Sequence, residues 1–240
     1  MDNLKVTVLM ATYNRATAVN GLPLVERAIH SFLNQDYANS NLIILDDAST
    51  DNTAEILSKY ENHPRITIHY GTSNKLPPNN WNWLWEQVPA DTDLICQLHD
   101  DDEFTIDGIS SRVAMFTSEI QVVYAGVIAQ NMQKTDETFY PGQPVDVDRI
   151  WKEEYINFVT LMYRPNLPFR FDPTLRYYFD WLFKIRCLTE CNCAYLSGSV
   201  MHYTVHSGQE TNKCRRENAN EREEKLMREK LEVIYGKKIF

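Results

Sequence analysis

Glycine is scarce in this chain, with 8 in 240 residues. A dinucleotide site needs a G-x-G-x-x-G turn after its first strand so that backbone N–H groups can approach a pyrophosphate, and a P-loop needs G-x-x-x-x-G-K-[ST]. Neither pattern occurs, which excludes both phosphate cradles. Positive charge is scarce as well. Only 24 Lys and Arg stand against 33 Asp and Glu, giving a formal charge of −9 and a pI near 5.2. The cationic footprint of a general nucleic-acid binder is missing. No apolar run approaches the roughly 18 residues of a membrane span. Residues 1–5 lack the basic stretch of a secretory signal, and the apolar segment after them breaks at Thr12-Tyr13-Asn14, so it reads as a first strand. The cysteines Cys96, Cys187, Cys191, Cys193 and Cys214 are odd in number, with neither framework spacing nor paired C-x-x-C knuckles. Reduced thiols in a cytoplasmic protein are the expectation.

An apolar fraction of 43% is enough to fill a core, and the length fits one α/β domain. Near-continuous apolar runs at Leu4 to Met10, Leu42 to Leu45 and Leu94 to Leu98 predict parallel strands buried on both faces. Ile66 to Tyr70 alternates as a further strand. Helical spacing predicts helices over Glu26 to Asn34, Ala54 to Tyr60 and Trp81 to Val88. Strand–helix alternation of this kind implies a mostly parallel central sheet flanked by helices. The second half is less regular, with strands expected at Val122 to Ile128 and Ala194 to His206 and a helix at Tyr177 to Thr189. Residues 140–173 are rich in proline, aromatics and turns. Residues 213–238 carry nine Lys and Arg and six Glu. They read as a charged C-terminal helix packed through Met227, Leu231 and Ile234, with a membrane-surface or acceptor-facing role as the weaker reading.

Ligands of an open parallel sheet bind beyond the carboxyl ends of its strands. Three predicted strands end there in polar residues: Thr12-Tyr13-Asn14-Arg15, Asp46-Asp47 and His99-Asp100-Asp101-Asp102. Each alone is an ordinary loop or cap. Converging at one edge, their carboxylates repel unless a cation lies between them. Hard oxygen donors suit Mg²⁺ or Mn²⁺. Such a metal would let an acidic pocket take a diphosphate, which suggests a nucleoside diphosphate leaving group.

Val6 to Arg15, Ser31 to Tyr37 and Leu42 to Thr53 resemble the opening of the family 2 inverting glycosyltransferases with the GT-A fold. The resemblance continues through Asn80-Trp81-Asn82 and through Leu98 to Asp102, similar to the family's D-x-D region. Tyr178 to Phe183 resembles its catalytic acidic segment, and Tyr203-Thr204-Val205-His206 its Y-R-x-H element. The chain departs from the pattern at His99, Phe179 and Thr204, and Lys75-Leu76-Pro77-Pro78 stands where Gly and Arg are common.

The resemblance implies one GT-A domain over 1–240. About 1–104 would bind the nucleotide sugar and 105–212 the acceptor, with 213–240 as the charged helix. It implies that Ala11 and Tyr13 line the base and ribose pocket, with Arg15 and Asn82 also on the donor. Asp47 would accept a hydrogen bond from the base, and Asp100 would contact the ribose. Asp101 would ligate Mn²⁺ or Mg²⁺, His206 would add a ligand or phosphate contact, and Asp180 would be the general base. The donor is expected to be UDP-linked and the acceptor a saccharide or lipid-linked saccharide, with peripheral contact at the inner membrane face in keeping with such an acceptor. A sugar nucleotidyltransferase, or a metal- or carbohydrate-binding module without turnover, stays open as an alternative.

Overall fold

The computed structural model describes residues 3–236 except 20, 132–135, 154, 207, 210, 211, 213, 215, 216 and 218. The first half contains β1 (Val6–Thr12), β2 (Ala18–Val19), β3 (Leu22–Pro23), α1 (Leu24–Leu33), β4 (Ser40–Asp46), α2 (Thr53–Ser58), β5 (Ile66–Tyr70), α3 (Pro77–Glu86), β6 (Leu94–Gln97) and β7 (Glu103–Phe104). The second contains α4 (Ser110–Val113), β8 (Val122–Asn131), β9 (Glu137–Tyr140), α5 (Val147–Ile150), β10 (Met162–Tyr163), α6 (Phe179–Glu190), β11 (Cys193–Val205) and α7 (Asn220–Tyr235).

The sheet runs β5-β4-β1-β6-β10-β8-β11-β7, with β9 also paired to β8. Strands β5, β4, β1 and β6 are mutually parallel. Their side chains are buried on both faces in β1 and β4, which is why those segments read as unbroken apolar runs. Beyond β6 the sheet is mixed. The two-residue β10 is antiparallel to both β6 and β8, β11 is parallel to β8, and β7 runs against β11. The chain passes from β1 outward to β4 and β5, then returns to place β6 on β1's other side. The strand order therefore reverses at β1, and a crevice opens at the carboxyl ends of β1 and β6.

Helix α1 buries Val25, Ala28, Ile29 and Phe32, one stripe at helical spacing. Helix α3 begins earlier than its apolar pattern suggests, because Pro77 and Pro78 fill the first two positions, where a missing N–H costs no helical bond. It buries Trp81 and Trp85, and Trp83 is partly buried against the same core. Trp85 stacks on Tyr163 of β10 at 5.0 Å and Phe171 on Phe183 of α6 at 4.4 Å, joining the irregular half to the parallel strands. Of the stripe expected on α7, Met227 and Leu231 are buried, but Ile234 is largely exposed. Tyr235, four residues after Leu231, takes the inward position, edge-on to Trp151 and donating to Glu190. Within the charged segment read as 213–240, residues 213, 215, 216, 218 and 237–240 lie outside the described residues. All five cysteines are free thiols. Among the described residues no helix is long and apolar enough to cross a membrane.

Candidate active site

The turn after β1 is stitched to the turn after β4. Asn14 adopts φ 54°, a left-handed conformation that asparagine tolerates. Its side-chain oxygen accepts from Thr50 N at 2.8 Å, while its own N–H donates to Ser49 Oγ at 2.9 Å. Asp51 accepts from the amides of Ala16 and Thr53. Burial pushes its carboxyl up, and the hydrogen bonds from Thr53 and Ala16 outweigh that and hold it below the usual range. These ties fix Tyr13 and Arg15 at the mouth of the crevice. Ala11, one step back on β1, is half-buried and packs on the core.

Asp47 directly follows β4 and is nearly fully buried. Its N–H donates to Thr12 O at 2.8 Å. Its carboxylate accepts from Lys75 N at 2.9 and 3.1 Å and from Asn80 Nδ2 at 2.7 Å. The acid is thus held by neutral donors. Asn80, not assigned to the site from the sequence, is a partner of Asp47. The Asn82 amide is bonded at both ends to the Phe171 backbone, donating to its carbonyl at 2.8 Å and accepting from its N–H at 3.0 Å. That brackets the segment before α6 and leaves Asn82 off the Asp47 cluster.

The three aspartates after β6 are each tied to a different segment. Asp100 accepts from Arg15 Nε at 3.0 Å and from Tyr13 N at 3.3 Å. Asp101 lies 2.9 Å from His206 Nε2 and 3.6 Å from Arg15 Nη2. Asp102 is completely buried and accepts from Thr204 N at 2.8 Å. Burial pushes Asp102 well above the usual carboxylate range, and the neighbouring Asp101 charge adds to it. Asp100 is also raised by burial, with Arg15 opposing. Burial acts upward on Asp101 too, but the His206 bond and the Arg15 charge prevail and keep it low. Asp101 is therefore the carboxylate best held as an anion.

Those residues fit a divalent cation. One ligand atom each from His99, Asp101 and Asp102 lies within 4.8 Å of the others. Asp102 Oδ2 is buried with no hydrogen-bond partner, and His99 Nδ1 is 3.8 Å from it. An orphaned buried oxygen beside two further donors is what a bound ion would satisfy. Of the ligands the resemblance implies, Asp101 is in this group with His99 and Asp102, whose signal was their place in the acidic run, whereas His206 is bonded to Asp101 and is not one of the three. His206 is itself held by Gln209, which accepts from His206 N at 3.2 Å and donates to Thr204 O at 2.8 Å.

Asp180 sits in the first turn of α6, half-buried, with Oδ1 accepting from Trp181 N at 2.8 Å. A helix N-terminus favours a carboxylate there. The turn before it is held from α7, where buried Glu223 accepts from Arg176 N at 2.9 Å and Tyr177 N at 3.3 Å. Lys230 of the same helix pairs with Asp172 at 2.7 Å.

The likeness to known proteins follows the same elements. The chain is 31% identical over 155 residues to the GalNAc(5)-diNAcBac-PP-undecaprenol beta-1,3-glucosyltransferase of Campylobacter jejuni, covering 63% of this chain and 47% of that one. It spans between about half and two-thirds of the length of three curated relatives it matches and about a quarter of a fourth. The crystal structure of S. aureus TarS 1-349 in complex with UDP-GlcNAc superposes with a TM-score of 0.68 at 19% identity, over 86% of this chain and 60% of that one. The mannosyltransferase PcManGT from Pyrobaculum calidifontis, in complex with GDP-Man and Mn²⁺, superposes with a TM-score of 0.61 at 17% identity, over 88% of this chain and 60% of that one. The fold is the GT-A fold. The model described as "Glycosyl transferase family 2" matches residues 7–201, and the chain belongs to that family.

Proposed function

We propose that this chain is a metal-dependent inverting glycosyltransferase that moves a sugar from a nucleotide sugar, UDP-linked, to a hydroxyl of a saccharide or lipid-linked saccharide. The observation that carries it is the gathering of Asp47, Asp100, Asp101, Arg15 and His206 at one edge of the sheet, at the strand-order reversal. The complexes of TarS with UDP-GlcNAc and of PcManGT with GDP-Man and Mn²⁺ support the donor class and the metal. The name of the C. jejuni relative supports a lipid-linked saccharide as acceptor.

In this reading Asp47 accepts from the base edge, with Tyr13 and Ala11 lining the base and ribose pocket. Asp100 receives the ribose, and Arg15 offers its guanidinium to the diphosphate. Asp101 and His206, with His99 and Asp102 in reach, hold Mn²⁺ or Mg²⁺, which supplies Lewis-acid stabilisation of charge on the departing diphosphate. Asp180 takes the proton from the acceptor hydroxyl as that oxygen attacks the anomeric carbon opposite the leaving group. This single displacement from the opposite face inverts the configuration and needs no covalent intermediate. Residues up to about 104 bind the donor and 105–212 the acceptor. Such an acceptor is compatible with a place at the cytoplasmic face of a membrane.

The test is nucleotide-sugar consumption by the full chain with Mn²⁺ or EDTA, with and without candidate saccharide acceptors. Acceptor-dependent release of UDP in Mn²⁺ alone is expected. Release of pyrophosphate from a nucleoside triphosphate and a sugar phosphate would replace this reading with a nucleotidyltransferase. Donor binding with no turnover on any acceptor would leave a binding module.

A further inference from the structure

Among the described residues, three that are not glycine have positive φ: Asn14 at 54°, Ala48 at 62° and Leu76 at 71°. All lie on loops at the carboxyl edge around Asp47. Asn14 is explained by its residue type and its side-chain bonds, and Ala48 is small. Leu76 is different. With ψ 157° it occupies a region used almost solely by glycine, and it precedes Pro77, which favours an extended, negative-φ residue before it.

No core packing accounts for that conformation, because the Leu76 side chain is 40% exposed. What holds it is its own N–H, which donates to Asn74 Oδ1 at 3.1 Å, and the anchoring of its neighbours on the Asp47 carboxylate. Lys75 N, on one side of Leu76, donates to both Asp47 oxygens, and Asn80, whose N–H donates to Leu76 O at 3.2 Å, places its amide on Asp47 as well. Asp47 N is also bonded to Thr12 O, so the next residue, Tyr13, follows directly on a segment tied to the same acid. Tyr13 is 39% exposed. Two large, partly exposed side chains thus stand on the two segments bonded to a buried acceptor that already receives neutral N–H groups. A planar heteroaromatic base, with a donor edge and two apolar faces, has the complementary chemistry.

We propose that Leu76 is a donor-selecting residue, closing with Tyr13 on the faces of the nucleobase whose edge bonds Asp47. The inference rests on the nucleotide-sugar reading above. It goes further by giving a role to a residue in a costly backbone conformation, one that glycine would occupy without strain. The side chain is what glycine would lack, and base contact is its use.

The experiment is calorimetry of UDP and of inorganic pyrophosphate in Mn²⁺ on the wild-type chain, Leu76→Ala and Leu76→Gly, with melting curves of all three without ligand. Both variants are expected to bind UDP about tenfold more weakly, the effect of losing part of one apolar side chain's burial. Pyrophosphate, which has no base, is expected to bind all three alike. Leu76→Gly is expected to melt about 2–4 °C above Leu76→Ala, because glycine relieves the left-handed strain. Wild-type UDP affinity in both variants would overturn the proposal, and so would equal weakening of UDP and pyrophosphate. A lower melting point for Leu76→Gly than for Leu76→Ala would remove its strain premise. If the wild-type chain bound UDP in no condition, the nucleotide-sugar reading itself would fall, which is a distinct result.

Discussion

From β1 to β6, parallel strands alternate with helices, and β1, β4 and β6 deliver polar residues to one edge. From β7 to β11, strands of 2 to 13 residues run in both directions, and β11 shifts register twice against β8 before it reaches His206. The two halves also handle charge differently. In the first, Asp47 is satisfied by neutral N–H donors. Where the halves meet, Asp101 and Asp102 are held by His206 and by Thr204 N from the second. A regular scaffold can present a hydrogen-bond acceptor on its own. The acidic cluster after β6 draws partners from far along the chain, and the irregular half supplies them in His206 and the Thr204 N–H.

The sharpest way to break this division is Asp180→Asn. It keeps the size and removes the proton acceptor, so transfer should fall roughly 10²–10⁴-fold while UDP affinity stays at the wild-type value. Transfer kinetics and UDP titration on the same folded variant decide it. Near-wild-type transfer would move the base to Asp172 or Asp102, whereas a parallel loss of UDP binding and melting temperature would make Asp180 structural.

Asp101→Asn probes the junction between the halves. UDP affinity in Mn²⁺ should drop by about 10–100-fold, a range already seen when an outer partner of a metal site is lost, and should then match the value in EDTA. Wild-type UDP binding that is equal in Mn²⁺ and EDTA would remove the metal bridge. Asp47→Asn, lying wholly within the regular half, should weaken UDP by about tenfold to the same extent in Mn²⁺ and EDTA, because it alters a hydrogen bond to a charged group and not a metal ligand. A loss confined to Mn²⁺ would erase the contrast between the two acids.

Asp102→Asn should produce the smallest effect, read as stability in EDTA. Burial raises the Asp102 carboxyl in the folded chain, so the folded state holds its proton more tightly than the unfolded state does. That contribution favours folding at low pH and declines as pH rises from the unfolded value of about 3.9 towards the raised folded one. The variant should lack this decline and melt about 2–4 °C higher at pH 7, equivalent to about 1 kcal/mol. Addition of Mn²⁺ should narrow the gap by stabilising the wild type more. A lower melting temperature for the variant in EDTA would mean that the ionised carboxylate is needed for packing around Thr204.

Much of the first half was legible because a parallel strand buried on both faces must be apolar along its length and must stop where polar residues begin. Leu42 to Leu45 and Leu94 to Leu98 therefore marked β4 and β6 and put Asp47 and Asp100 to Asp102 at their ends. The two-residue strands β7 and β10 carried no such signal. A pair such as Met162-Tyr163 is too short to show a period, and its place between β6 and β8 is set by packing on Trp85 and Cys96. At Asn80-Trp81-Asn82 the sequence offered two amides of the same kind, and helix rotation alone directs Asn80 to Asp47 and Asn82 to Phe171.

The sequence by itself determined which groups reach the edge: a polar turn after β1, an acid after β4 and three aspartates after β6. Their order follows from strand periodicity, a local property of the chain. Tertiary structure alone decided how they are paired. Asp101 meets His206 across 105 positions and Asp102 meets Thr204 N across 102, contacts that exist because β11 packs along β8 and β7. The distinction between a carboxylate kept ionised and one driven towards its neutral form also arises there, since burial and neighbouring charge, not residue type, set the proton affinity of otherwise identical aspartates.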